Sequence, residues 1–277
     1  MFDFFVIITR RERNMKNRID KEMYERLLVP SRSKAQELIN LGVVFCNDKK
    51  LDKANFLVNK EDKITIKDNK LLKYVSRGGL KLEKALDYFN INVDNLIAMD
   101  IGSSTGGFCD CLIQNGIKKV IAIDVGKNLL HDSLKNNKLI ELHEETNFKK
   151  IESNYFKDID IITCDVAFIS IKAIIEKIFR ENIKIEGIFL IKPQFECGKE
   201  LAYKYKGIIL NKKVHIKIIK ELFKYFNSLD FYIKDFTFSP ISGGDGNIEY
   251  LVYLSNKIST NKKINIESIV QEGFRSK

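Results

Sequence analysis

No cysteine pair in this chain has metal-ligand spacing. The five cysteines, Cys46, Cys109, Cys111, Cys164 and Cys197, are odd in number and form no C-x-x-C pair, and the three histidines add no spaced cluster. A metal site or a disulfide framework is therefore not expected. Reduced, buried thiols in the cytoplasm are. Long apolar runs are missing as well. Residues 1–8, MFDFFVII, are apolar but too short to cross a bilayer. No basic segment precedes them and Arg10, Arg11 and Arg13 follow, which argues against a secretory leader. Residues 1–14 match nothing downstream, and Met15-Lys16 makes a natural start. This stretch is expected to be a disordered or non-native extension.

What is present describes a soluble chain with room for one large and one small domain: 277 residues, 44% hydrophobic and 30% charged. A net charge of +10 suits a polyanionic partner such as nucleic acid or an anionic surface, although a lysine-rich solvated face gives the same number. The charge is uneven. Residues 1–73 hold 17 lysines and arginines against 11 acids, so the N-terminal part is the more basic per residue.

That part reads as two short helices and short strands. Residues 16–29 form a helix with Ile19, Met23, Leu27 and Leu28 on one face, ended by Pro30. Ser31 caps a second helix with Ala35, Leu38 and Ile39 inside, closed at Gly42. Val43 to Phe45 leads to a turn at Asn47-Asp48-Lys49, residues 51–59 form a loop, and Lys63 to Lys67 alternates like a strand. The pattern R-x-D…SR-x-x-A-x-x-L-I-x-x-G-x-V resembles the S4 RNA-binding domain. The resemblance implies that Arg32 and Lys34 contact RNA phosphates, with Lys49 and Lys50 in the turn and Arg77 beyond the module as further RNA contacts. Such contacts position RNA without reading its sequence. The expected boundaries are an S4-like domain over 15–67 and a linker over 68–75.

The stretch that organises the rest is Leu96 to Phe108, LIAMDIGSSTGGF. A short apolar strand runs through Asp100 into a glycine turn and a helix start. Gly102, Gly106 and Gly107 let backbone approach a ligand, and the free amides of the helix N-terminus face it. The spacing D-x-G-x-x-x-G-G matches neither G-x-G-x-x-G nor the P-loop, and the turn has no lysine for phosphates. A ligand without a triphosphate is expected, while an ordinary βα turn carries the same pattern. From residue 96, strands and helices alternate as in an open, mostly parallel α/β sheet, Rossmann-like, with helices on both faces. Strands are expected at 120–124, 139–142, 159–165, 187–193, 231–238 and 247–254, and helices near 170–181 and 211–227. Asp100, Asp124, Asp165 and Lys192 fall at strand ends, where such sheets bind ligands. Asp124 is placed to accept from two ribose hydroxyls. Lys81 sits in the first turn of a helix opened by Gly78-Gly79, where a cation opposes the helix dipole and needs a nearby anion. Lys81, Asp165, Lys192 and Glu249 can be neutralising ion pairs. Alternatively, one neutral lysine removes a proton from a hydroxyl while the others orient it.

The segments SRGGLK, AMDIGSSTGGF, CDVAFIS, LIKPQFECGKE and SPISGGDGNIEYL, in this order behind an S4 module, resemble the TlyA family. Its members are S-adenosylmethionine-dependent 2′-O-methyltransferases of ribosomal RNA with an FtsJ-like catalytic domain, historically called haemolysins. The resemblance covers about 16–255 and implies a catalytic domain over 76–256 followed by a tail over 257–277. It implies a catalytic tetrad on Lys81, Asp165, Lys192 and Glu249, with Lys192 as general base on the ribose hydroxyl of a cytidine. It further implies that Asp100, Gly102, Ser103, Ser104, Thr105, Gly106, Gly107 and Phe108 receive the methionine part of the cofactor, with Asp124 at its ribose, Asn147 near the adenine and Asp165 close by. The implied partner is ribosomal RNA or a ribosomal subunit, with no DNA and no membrane. Two rim segments depart from the family pattern: Gly126 to His131 replaces G-Q-L-x-W after the strand end, and Glu145-Thr146-Asn147-Phe148-Lys149 replaces R-T-N-x-R. Two other readings remain at this stage: an RNA-binding protein with a catalytically silent methyltransferase domain, and a pore-forming haemolysin, for which no apolar span is long enough.

Overall fold

The structure is a computed structural model, and residues 16–243, 245–257 and 260–276 are described, apart from the side chain of residue 69. The expected extension over residues 1–14 lies outside them. The chain divides into two compact units, one ending at Lys73 and one starting at Tyr74.

In the first unit, β1 (Asn17–Arg18) leads into α1 (Ile19–Glu25) and α2 (Arg32–Asn40), followed by β2 (Val44–Cys46), β3 (Lys49–Lys50), β4 (Leu57–Val58) and β5 (Ile64–Ile66). The short sheet has the order β3-β2-β5, and β1 pairs with β4 inside the stretch read as a loop. Ser31 Oγ accepts from the Lys34 amide, so the expected N-cap is present. Asn47 and Asp48, both at positive φ, make the two-residue turn of the β2–β3 hairpin. The first helix is shorter than its apolar spacing suggested. It stops at Glu25 because Leu27 takes a left-handed conformation (φ 58°) and stands 87% exposed, while Arg26 turns aside to donate to the carbonyls of Asn59 and Asp62.

The second unit opens with α3 (Gly78–Phe89), β6 (Ile97–Ile101), α4 (Gly107–Gln114), β7 (Lys119–Ile123), α5 (Asp132–Lys135), β8 (Ile140–His143) and β9 (Ile161–Cys164). It continues with α6 (Lys172–Arg180), β10 (Glu186–Ile191), α7 (Pro193–Glu196), α8 (Gly198–Lys204), α9 (Lys212–Ser228), β11 (Tyr232–Phe238), β12 (Tyr250–Ser255) and α10 (Ile266–Arg275). Seven strands form one sheet in the order β11-β12-β10-β9-β6-β7-β8. Strands β8, β7, β6, β9 and β10 are mutually parallel, and β12 inserts antiparallel between β10 and β11.

Alternation along the strands splits the core between the two faces. Ala98, Val120, Ala122, Ile188 and Leu190 point to one layer with Leu82, Ala85 and Leu86 of α3 and Leu112 of α4. Met99, Ile101, Ile162, Phe189 and Val252 point to the other, with Ile174 and Ile178 of α6, Leu222 and Phe226 of α9 and Val270 of α10. Two expectations are corrected by this packing. Residues 257–277 are not merely a tail, because α10 buries Ile266 and Val270 against the sheet layer. Nor is residue 74 linker, because Tyr74 is only 3% exposed and belongs to the layer of α3.

Candidate active site

Four parallel strands end on one edge of the sheet, and each hands its next residues to that edge. Strand β6 ends at Ile101 before Gly102, β7 at Ile123 before Asp124, β9 at Cys164 before Asp165 and β10 at Ile191 before Lys192. Because β12 is antiparallel, its start rather than its end lies there, and Ile191 pairs with Tyr250, which puts Glu249 beside Lys192's strand. Helix α3 contributes Lys81 from its first turn.

Lys81 Nζ donates to Glu249 Oε2 at 2.6 Å and to Asp165 Oδ2 at 3.2 Å. Lys192 Nζ lies 2.5 Å from Asp165 Oδ1. The four side chains therefore form a line, Glu249–Lys81–Asp165–Lys192, in which, among the described residues, both inner groups have two ionic partners and both ends have one. Burial disfavours the Lys81 ammonium, but the carboxylates of Asp165 and Glu249 outweigh it and raise its pKa, so Lys81 stays charged. Burial likewise works against ionised Asp165, and the two ammonium groups overcome it and hold the carboxyl below its usual range. The dipole conflict at the start of α3 is thus resolved by two anions. Gly243 leaves room for this arrangement, since a Cβ there would stand 2.6 Å from Glu249 Oε1.

The glycine turn lies next to the line. Gly102 has φ +81°, and a Cβ on it would come 2.8 Å from the carbonyl oxygen of Asp165, so the turn closes against the tetrad strand. Ser104 and Thr105 are exposed in the turn, while Ser103 is 4% exposed and its Oγ is buried without a hydrogen-bond partner among the described residues. Asp124 accepts from the amides of Ser104 and Gly126, each at 2.7 Å, and so ties the turn to the end of β7. Asn147 is exposed nearby, its Oδ1 capping a single helical turn and the amide of Thr146 bonded to the Asp124 carbonyl. A narrow glycine turn with an orphaned hydroxyl and a strand-end carboxylate fits a nucleoside cofactor that carries an amino-acid head.

Two expectations for the turn are corrected. Asp100 cannot touch a ligand: it is fully buried and accepts from Thr163 Oγ1 (2.8 Å) and Cys109 Sγ (3.2 Å) beneath the turn. Burial pushes its pKa up to about 7 despite those two bonds. Phe108, 4% exposed, packs into the α3 layer and supports the turn from behind. Gly106 and Gly107 are buried at the start of α4.

Sequence reasoning did not single out two aromatic residues at the rim. Phe168, three residues after Asp165, is 92% exposed at φ +63°, a conformation that is rare for a bulky side chain. Its ring lies 5.3 Å from that of Phe195, whose centroid is 5.9 Å from Lys192 Nζ.

On the first unit, Lys49 and Lys50 are exposed, and Arg32 is half exposed with one guanidinium nitrogen 3.1 Å from Asp20. Lys34 is corrected. Its side chain is 1% exposed with Nζ 3.3 Å from Glu37, so it is turned away from any phosphate. Arg77, partly exposed, precedes α3 in the second unit.

The FtsJ-like methyltransferase family matches residues 74–256, and the S4 domain matches residues 17–64. The TlyA 23S rRNA (cytidine-2′-O)-methyltransferase of Campylobacter jejuni is 38% identical over 80% of this chain and 93% of its own length. This chain belongs to the TlyA family. Hemolysin A of Brachyspira hyodysenteriae, 41% identical over 85% of this chain and 98% of its own, is another relative. A solved structure of a hemolysin-like protein from Streptococcus thermophilus superposes with a TM-score of 0.73 at 34% identity, covering 95% of this chain and 97% of that one. The TlyA-family chain is thus a methyltransferase with an N-terminal S4 domain and a seven-stranded, mostly parallel sheet. No helix among its described residues is long and apolar enough to cross a membrane.

Proposed function

We propose that this protein transfers a methyl group from S-adenosylmethionine to the ribose 2′-hydroxyl of a cytidine in ribosomal RNA, with Lys192 as the general base. The observation that carries the reading is the asymmetry of the tetrad. Lys81 is held by two carboxylates and Lys192 by one, at the end of the line nearest the aromatic rim. Ser103, Ser104, Thr105, the amides of the turn and Asp124 would hold the cofactor. S-adenosylmethionine, when bound, supplies an electrophilic methyl group. Lys192, in its neutral form, would take the proton of the 2′-hydroxyl as the oxygen forms its bond to the methyl carbon, the methyl–sulfur bond breaking with its electron pair left on sulfur as a neutral thioether. Asp165 orients the amine and then faces the ammonium that results. Lys81, fixed by Glu249, keeps a positive charge beside the developing oxyanion.

The rim supports an RNA substrate. Phe168 and Phe195 offer π-faces for a cytosine ring taken out of its stack, and Arg32, Lys49 and Lys50 of the S4 domain and Arg77 offer phosphate contacts. The 2′-hydroxyl restricts the reaction to RNA, and a ribosomal substrate places the enzyme in the cytoplasm. The test is transfer from labelled S-adenosylmethionine to unmodified small and large ribosomal subunits, with the nucleoside identified by mass spectrometry. A 2′-O-methylcytidine peak is expected, reduced at least a hundredfold by Lys192→Ala. A methyl group on a base atom, or full activity of the variant, overturns the assignment.

A further inference from the structure

One segment at the rim of the tetrad is lightly tied to the fold: of residues 198–208, Tyr205 packs against a core layer and is itself only partly buried. From Gly198 to Ile208 no residue is buried, and α8 has no side chain in either core layer. Both ends of the segment are nevertheless fixed to the site. Before it, Glu196 accepts from Ser170 Oγ (2.6 Å) and the Ile171 amide (2.8 Å), which ties α7 to the loop carrying Phe168. After it, Ile209 is fully buried: its amide donates to Asn247 Oδ1, and its carbonyl accepts from His215 Nε2, each at 2.9 Å. Asn247 Nδ2 also donates to the Gly207 carbonyl at 2.9 Å, two residues before Glu249. The excursion leaves from the Lys192 side of the tetrad and returns on the Glu249 side.

Gly198 and Gly207 stand at φ +76° and +78° with no heavy atom within 4 Å of a built Cβ. They serve the path of the backbone rather than close packing. Between them the sequence presents three lysines against one glutamate, and Tyr203 is 89% exposed. A seven-residue helix without a buried face is marginal in water, so its order in use depends on something it touches. Lysines around a bare aromatic ring form the pattern that binds single-stranded nucleic acid, through phosphate neutralisation and base stacking.

We propose that residues 198–208 are a strap that holds the RNA strand flanking the target nucleotide, with Lys199, Lys204 and Lys206 on phosphates and Tyr203 stacked on a base. This rests on the 2′-O-methylation reading above. The experiment compares the full-length protein with a Lys199→Ala/Lys204→Ala/Lys206→Ala variant, using ribosomal subunits as substrate. The control is Lys138→Ala/Lys157→Ala/Lys184→Ala, the same charge change at exposed residues before β8, β9 and β10, on the opposite edge of the sheet. The strap variant is expected to raise KM for the subunit about tenfold and to lower the salt slope by about 2. KM for S-adenosylmethionine and the melting temperature stay at control values. Tyr203→Ala raises the subunit KM at least fivefold, by roughly the loss of one stacked base, and Tyr203→Phe restores it. With p-benzoylphenylalanine at position 203, photocrosslinks go to ribosomal RNA. Strap variants that match the control, or crosslinks to ribosomal protein or to nothing, overturn the strap while leaving the reaction intact. Absence of 2′-O-methylation by the unaltered protein removes the reaction itself, and the strap with it.

Discussion

Replacing Lys81 by methionine separates what the tetrad costs from what it does. In the intact protein Lys81 is 8% exposed, is the sole amine on Glu249 among the described residues, with Glu249 itself 3% exposed, and shares Asp165 with Lys192. The methionine fills a similar volume but leaves two carboxylates with one ammonium at the far end of the line. Removing one partner of a buried ion pair costs about 3–5 kcal/mol, a large share of a domain stability of about 5–15 kcal/mol. Lys192→Met costs less, about 1–2 kcal/mol, because Asp165 keeps Lys81. The pH dependence has a defined sign. In the intact protein the Asp165 pKa lies below its unfolded value, so its stabilisation is present above about pH 4 and is lost on acidification. In Lys81→Met the stranded carboxylates bind protons more readily in the folded state, so the deficit shrinks from pH 8 to pH 5. Urea unfolding followed by circular dichroism at both pH values, with the m-value checked for constancy, measures it. Both variants are expected to lose methyl transfer, but only Lys81→Met should lose stability on this scale. A Lys81→Met protein as stable as wild type at pH 8, or with a deficit that does not change by pH 5, refutes the closed, buried network.

Asp100 makes the opposite prediction. Its folded pKa, about 7, lies above the unfolded value of 3.8, so the stability it contributes is complete below that value and is lost as pH rises through 7. Asp100→Asn removes the titration. The stability of the variant relative to wild type should rise by about 4 kcal/mol between pH 4 and pH 8, read as a difference in urea midpoints; a flat difference argues against a buried, ionising Asp100. Gly243→Ala presses a methyl group against Glu249 Oε1. It should lower kcat by about tenfold to a hundredfold with S-adenosylmethionine binding unchanged in calorimetry, because small displacements at a positioned group have effects of that size.

The parallel sheet was legible because its strands are short apolar runs ending in a polar residue, and Asp124, Asp165 and Lys192 are those residues. Glu249 fits that rule less directly, since it precedes an antiparallel strand and sits at its start; it was grouped with Lys81, Asp165 and Lys192 as a charged residue near a strand end, and the family resemblance implied the roles of the group. The contact between Lys81 and Glu249 joins residues 168 positions apart and comes from the insertion of β12 beside β10. Helix α10 was missed although a signal existed: Ile266 and Val270 are four apart, and Asn265 caps the helix by accepting from the Ser268 amide. The polar run NKISTNKK separates that short pattern from the last strand of the sheet. Lys34 and Arg32 show the limit of charge reading. Both are basic residues at the start of one helix, yet one side chain is buried against Glu37 and the other is half exposed.

The cofactor turn and the tetrad are not independent parts. The Gly102 backbone abuts the Asp165 carbonyl, and Asp100, one residue before the end of β6, accepts from Thr163, one residue before the end of β9. Asp165 in turn orients Lys192 and shares Lys81 with Glu249. The sheet register between β6 and β9 holds the turn and Asp165 in place together. This accounts for a buried carboxyl that touches no ligand. Asp100 fixes the spacing between the strand that leads into the glycine turn and the strand that leads to Asp165.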